Sequence, residues 1–200
     1  MVPELVTEAS KGTGASGPAA GSDAAPALTV DRVGPLGGVA SDSAFGVALV
    51  TLWQRAAEAG APVGFAAPVL RSEVAARAAG LVDEVRTGRL IAVAANQARR
   101  LVGVGFLRPG RGSGQHTGHL ELILVDAEHS RAGLGTQLAG RLLAQAAELG
   151  LQRVDAAVPA DAGLETFFGT LGFAEWGRRP GWIRMNADDE RDEVLLGAEL

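Results

Sequence analysis

Apolar residues recur along this chain with two different periods, and the switches between them lay out most of its elements. In SAFGVALVTLWQRAAEAG (43–60), Phe45, Leu49, Leu52, Trp53, Ala56 and Ala57 fall at helical spacing before Gly60, which predicts a helix. SEVAARAAGLVDEVRTG (72–88) predicts a second, with Ser72 as its N-cap and Gly88 as its stop. A short strand, LTVDRV (28–33), precedes this pair, and the Gly- and Pro-punctuated GAPVGFAAP reads as the loop within it. RLIAVAAN (89–96) and RRLVGVGFLRP (99–109) then read as paired strands, and the long turn PGRGSGQHTG leads to the strand HLELILV (119–125). Leu134, Leu138, Leu142 and Ala146 make one stripe of a helix over 133–150. The strand QRVDAAV (152–158), the short helix AGLETFFGTLG (162–172) and the strands FAEWGRR (173–179) and DEVLLGAEL (192–200) complete the chain. The order β-α-α-β-β-β-α-β-α-β-β places the protein in the α/β (α+β) class, as a mixed sheet with helices on its faces.

Composition narrows what such a sheet can serve. Residues 1–27 are rich in Ala, Gly, Ser and Pro and carry too little apolar surface to offset the entropy of ordering, so they read as a disordered tail before a single domain at 28–200. The net charge is −5, of which Glu4, Glu8, Lys11 and Asp23 of the tail contribute −2. The remaining domain is weakly acidic and has no basic stripe, which argues against nucleic acid and anionic membrane surfaces and for a neutral or cationic small partner. No run of 18 apolar residues and no basic-then-apolar leader is present, so a cytoplasmic location is expected. The chain has no cysteine, which removes disulfides, thiolate metal sites and a cysteine nucleophile.

Chemistry concentrates at GHLELILVDAEHSRAGLGTQL (118–138), where a strand runs into a glycine turn that opens a helix. The first N–H groups of a helix are unpaired and carry partial positive charge, and Gly133 and Gly135 let a bulky anion approach them. The Walker A lysine is absent, and Leu138 stands where the third glycine of GxGxxG would fall. Neither a nucleoside triphosphate nor a dinucleotide reading is supported.

VDAEHSRAGLGTQL, followed by a long helix, a strand and GLETFFGTLGFAEWG, resembles the GCN5-related N-acetyltransferase (GNAT) superfamily over about residues 28–200. AEAGAPVGFAAP, GQH and GRRPGWI look like the tabtoxin-resistance acetyltransferases within it. The resemblance implies a mostly antiparallel sheet with helices on both faces, no metal, and acetyl-CoA as cosubstrate. Its pyrophosphate would meet the N–H groups of Arg131, Ala132, Gly133, Leu134, Gly135 and Thr136, and its pantetheine the backbone at Ile123 and Val125. Ser130 and Ala127 depart from the usual Arg/Gln and proline, and Asp161 stands where many members carry asparagine. An N-acetyltransferase acting on a small amine without a covalent enzyme intermediate is expected, and a homodimer is compatible with it. The alternative is a catalytically degenerate module that binds or senses acyl-CoA.

Strict alternation along HLELILV would put His119, Glu121, Ile123 and Val125 on one face, so His119 and Glu121 would form a row toward the thioester. By position, His119 falls where histone acetyltransferases carry a glutamate base and arylalkylamine acetyltransferases a histidine, and Glu121 where the latter carry a second histidine. His119 either relays a proton at neutral pH or hydrogen-bonds a loop carbonyl. Glu121 either orients the amine or water, or pairs with an arginine. The tyrosine acid of the family pattern is replaced by Phe168, which would wall the thioester pocket, and the chain has no tyrosine at all. The acceptor pocket is expected between GAPVGFAAP, the strand bearing His119 and GRRPGWIRM, with Phe65, His116 and Trp182 lining it. Glu121 and Asp155 would draw in a protonated amine. His129 is expected to be exposed.

Overall fold

The computed structural model describes residues 27–34, 39–40 and 42–200, so the expected tail lies outside the described residues apart from Ala27. Seven strands form one sheet: β1 (Thr29–Val33), β2 (Ile91–Gln97), β3 (Arg100–Pro109), β4 (Thr117–Val125), β5 (Arg153–Pro159), β6 (Ala174–Asn186) and β7 (Asp189–Glu199). Their order across the sheet is β1-β2-β3-β4-β5-β7-β6, and every neighbouring pair is antiparallel except β4 and β5. Four helices cover it: α1 (Ser43–Glu58), α2 (Arg71–Arg86), α3 (Leu134–Glu148) and α4 (Leu164–Gly169). The mixed, mostly antiparallel sheet and the element order are those read from the sequence.

Each face of the sheet has its own core. Phe45, Leu49, Leu52 and Trp53 of α1 and Val74, Ala78, Leu81 and Val85 of α2 bury against Ala92, Ala94, Val104, Phe106 and Leu124. On the other face, the predicted stripe of α3 packs on Val93, Leu107, Leu120, Val154 and Ala156, and Phe168 of α4 joins the same cluster. Two glycines of β3 set how close α3 lies. A Cβ on Gly105 would stand 2.8 Å from Leu142 and one on Gly103 would stand 3.0 Å from Leu138. Asp42 caps α1, its carboxylate accepting the N–H of Phe45 at 2.9 Å, an interaction worth about 1 kcal/mol. Ser72 does not cap α2: the helix begins one residue earlier, after Leu70, and has no side-chain cap. Gly88 ends it as expected, in the left-handed region at φ 71°.

Two irregularities shape the centre of the sheet. Phe106 faces Leu122 across β3 and β4 while Leu107 faces Leu120, so Glu121 is an extra residue, a β-bulge. The bulge overturns the expected row of side chains. Leu120, Ile123 and Val125 pack toward α3, whereas Leu122 and Leu124 pack toward α1 and α2, and Glu121 reaches Arg77 of α2. His119, the register partner of Arg108, lies on that second face as well, so His119 and Glu121 share no face with Ile123 and Val125.

The second irregularity is a split. β4 and β5 pair only from Thr117–Arg153 to Leu120–Ala156, although β4 continues to Val125 and β5 to Pro159. The final hairpin is also longer than expected. GRRPGWIRM belongs to the edge strand β6, where Pro180 needs no ladder partner on the open side. Among the described residues no helix is long and apolar enough to cross a membrane.

Candidate active site at the split between two strands

A cleft of about 1110 Å³ fills the split. One wall is β4 from Leu120 to Val125 and the turn that follows, and the other is Ala156–Pro159 with the turn into α4. Past Leu120 the edge of β4 that faces β5 has no strand partner, which leaves backbone donors and acceptors along the cleft. On the α1/α2 side the cleft is roofed by Pro62, Gly64, Phe65 and Ala66 and by Trp182–Met185 of β6. The two parts of the roof are joined, the Ala67 N–H donating to the Met185 carbonyl at 2.9 Å.

The turn between β4 and α3 is built to expose helix donors. Arg131 (φ 61°) and the N-cap Gly133 (φ 79°) are both left-handed, and no side chain caps the helix. Arg131, Gly133, Gly135 and Thr136 line the cleft, as do Ile123 and Val125. Ala132 and Leu134 do not, and the Leu134 side chain is 2% exposed in the core. The turn is fastened from behind by Asp126, which sequence reasoning missed. This carboxylate is 2% exposed and pairs with Arg55 at 2.6 Å and with Arg100, and its Oδ1 accepts the Glu128 N–H at 3.3 Å. The only sequence signal was an acid closing an otherwise apolar strand.

His129 is half-buried, not exposed, with Nε2 2.8 Å from the Gln97 side-chain oxygen. Asp126, Glu128 and His129 hold ligand atoms within 4.8 Å of one another. Positive charge is already supplied there, because Arg55 and Arg100 occupy Asp126 and Arg100 also reaches Glu128 at 3.4 Å.

The opposite turn repeats the backbone with different chemistry. Asp161 (φ 58°) and the N-cap Gly163 (φ 72°) are again left-handed, but the helix they open spans only six residues. Its entry is already occupied, since the Asp161 N–H donates to Glu165 Oε1 at 3.1 Å and Arg191 reaches the Asp161 carbonyl at 3.3 Å. Phe168 lines the cleft and is buried edge-on against Phe167 and Phe173, with centroids 5.1 and 5.2 Å apart.

The ionisable residues fall into three groups. Glu121 lines the cleft, where Arg77 contacts one oxygen and Arg108 Nε donates to the other at 3.1 Å; Arg108 also holds Glu84 of α2 at 2.7 Å. Burial pushes the Glu121 carboxyl up, but the hydrogen bond and charge of Arg108, with the charges of Arg77 and His119, outweigh it and hold the group below its ordinary range. His119 faces Asp155 across the parallel pair, with Nδ1 3.2 Å from Oδ1. That hydrogen bond raises the imidazole above its ordinary value, burial opposing it.

His119 and Asp155 stand one step below the start of the cleft and are not among the residues lining it. Neither is His116, whose carbonyl accepts the Gln152 N–H at 2.7 Å. Phe65 and Trp182 do line it, the latter under the Arg179 guanidinium at 5.0 Å. The third ionisable group, Glu193 of β7, also lines the cleft and was not singled out from the sequence, where it reads as one of several acids near the C-terminus.

Comparison with known proteins assigns the chain that carries this cleft to a family. The profile described as the acetyltransferase (GNAT) family matches residues 48–173, and the chain belongs to that family. Solved structures agree at the level of fold. A GCN5-related N-acetyltransferase from Kribbella flavida superposes with a TM-score of 0.67 at 18% identity, over 86% of this chain and 98% of its own. The ribosomal-protein-S18-alanine N-acetyltransferase of Escherichia coli gives 0.64 at 17%, over 86% and 94%. The yncA protein of Salmonella typhimurium, solved with its cofactor acetyl-CoA, gives 0.66 at 17%, over 87% and 94%. No curated protein matches the chain.

Proposed function

We propose that the protein transfers an acetyl group from acetyl-CoA to a small primary amine by direct attack, with no covalent enzyme intermediate. The observation that carries this reading is the split itself. One cleft joins an uncapped helix start, suited to a pyrophosphate, to an unpaired strand edge, suited to an amide-bearing chain, and ends beside Glu121. Acetyl-CoA supplies the activated acyl group. Arg131, Gly133, Gly135 and Thr136 hold its pyrophosphate through backbone N–H groups, and Ile123 and Val125 receive its pantetheine.

The amine must arrive from the other face, because α3 and α4 close the cofactor side and the charged residues lie toward α2. Glu121 stays ionised between two arginines and is therefore a poor base; it orients the amine or an attendant water. His119, positioned by Asp155, takes the amine's proton through water. A rate that depends on neutral imidazole rises with pH through an ionisation above the ordinary histidine value of about 6.5. The departing thiolate needs little help, since a thiol of pKa about 8.5 is a fair leaving group, and the apolar Phe168 offers none.

The test is release of free thiol from acetyl-CoA over a panel of amines. The chain has no cysteine, so the reagent reports CoA alone. His119→Ala lowers turnover by about 10²-fold with acetyl-CoA affinity retained, the usual scale for loss of a general base. Turnover like that of the parent in His119→Ala removes the residue from the mechanism. Phe168 in place of the tyrosine acid favours a second reading, an acyl-CoA-binding or sensing module. Acetyl-CoA that raises the melting temperature by mass action while no amine releases thiol decides for that module.

A further inference from the structure

Two carboxylates line the acceptor side of the cleft, and their surroundings differ in a way that assigns them different work. Val194 of β7 packs in the α3 core, so its neighbour Glu193 points to the opposite face, the one that also carries Glu121. Glu121 is already satisfied: Arg77 and Arg108 occupy its two oxygens. Glu193 is only partly so: its side chain is 12% exposed, and Oε2 is buried beside a cation but without an aligned hydrogen-bond donor among the described residues. The Arg179 guanidinium lies at ion-pair distance from that oxygen, but no N–H is aligned with it. Arg179 is itself 44% exposed and rests on the face of Trp182 at the roof of the cleft. A buried carboxylate oxygen on a cavity wall that has a cation beside it but no aligned N–H can still take a better-placed donor.

We infer that Glu193 is the residue that receives the acceptor's ammonium group, with Arg179 as a resident cation that gives way while remaining stacked on Trp182. The inference rests on the acetyltransferase reading and deepens it. The acceptor is a primary amine that carries its charge into the cleft on an apolar body, which Phe65, Trp182 and Met185 of the roof would cover. Recognition is of the protonated amine; the proton is given up only when the nitrogen moves toward the thioester. Glu193 is thus a specificity-determining residue, separate from Glu121 and His119.

Binding tests this without turnover. Calorimetry on the full chain, with and without CoA, compares 2-phenylethylamine and hexylamine with the corresponding neutral alcohols at pH 7. The parent binds each amine at least about tenfold more tightly than its alcohol, the scale of a hydrogen bond to a charged group. Glu193→Gln brings amine and alcohol within about threefold of each other, with alcohol and CoA affinities unchanged. Arg179→Ala removes the competing cation and tightens amine binding while leaving the alcohols alone. A merely structural ion pair predicts instead that both variants melt lower and keep the parent's preference. An amine preference intact in Glu193→Gln, or absent from the parent for both pairs, overturns the proposal. If CoA fails to bind, the acetyltransferase reading falls, and the amine preference measured without CoA still decides the role of Glu193.

Discussion

The two walls of the cleft end in nearly the same four residues, RAGL at 131–134 and DAGL at 161–164. In each, a non-glycine residue and then a glycine take positive φ, and a helix starts at the leucine. What differs is what the turn is left free to do. Neither helix has a side-chain cap, but the first turn opens a 15-residue helix, carries an arginine and is braced from behind by buried Asp126. The second opens a six-residue helix, carries an aspartate, and has Glu165 already on one of its N–H groups. A backbone conformation alone therefore does not make an anion site. Uncommitted donors and the sign of the neighbouring charge do.

That contrast can be broken most directly at the two N-cap glycines. A Cβ on Gly133 or Gly163 meets no atom within 4 Å, so valine at either costs mainly backbone strain, about 1–2 kcal/mol, and lowers the melting temperature comparably. Acetyl-CoA affinity separates them: Gly133→Val loses about 30-fold or more, an estimate built on several charge-assisted hydrogen bonds, and Gly163→Val less than about threefold. Titration by calorimetry distinguishes the two, and equal losses would erase the difference between the walls.

A smaller effect is expected from Phe168→Tyr on the second wall. The hydroxyl would enter a tight aromatic trio, and turnover is expected to change by less than about tenfold, or roughly 1.4 kcal/mol of barrier, because the proposed mechanism makes no use of that group. An inert parent that becomes a competent acetyltransferase in this variant would identify the natural chain as the binding module.

The smallest effect links the walls below the split. Asp155→Asn removes the hydrogen bond that raises His119, so the rising limb of the pH–rate profile moves to lower pH. Stability responds with the opposite sign. A raised folded-state pKa gives stability that is fully present below the unfolded histidine value and is lost as pH rises through the folded one, so the pair stabilises the acid side while activity needs the alkaline side. With both side chains over a third exposed, screening keeps the stability part small. A profile that does not move in Asp155→Asn shows that the pair is not coupled to the reaction.

Much of this was legible in the residues. The helical stripe from Leu134 to Ala146, the strands and their order, and the glycine turn all follow from local periodicity and backbone freedom, which the chain encodes at short range. Ser72 failed as a cap because a good capping residue one position inside a helix makes no cap, and the chain ahead of it set the start at Arg71. The face of Glu121 failed for a deeper reason: alternation assumes one residue opposite one, and the bulge depends on how β3 and β4 meet, a pairing between distant segments. Asp126 and Glu193 were passed over because their importance lies in burial and in the partners they have or lack, and neither is a local property.

The bulge also changes which mutations can reach the site. Side chains beyond it are set by their pairing with β3, so substitution at Glu121 alters a charge but leaves Leu122, Ile123, Leu124 and Val125 pointing as they do. Loss of one codon at that point would act in the same way. Without Glu121, Leu122 would follow Leu120 as Phe106 precedes Leu107 on β3, so the strand would alternate strictly, Leu122 to Val125 would keep their present faces, and only the carboxylate would leave the cleft. In genetic terms position 121 is where this strand can lose a letter and keep the faces of its other residues, so a descendant lacking it would keep the cofactor wall and lose only the charge.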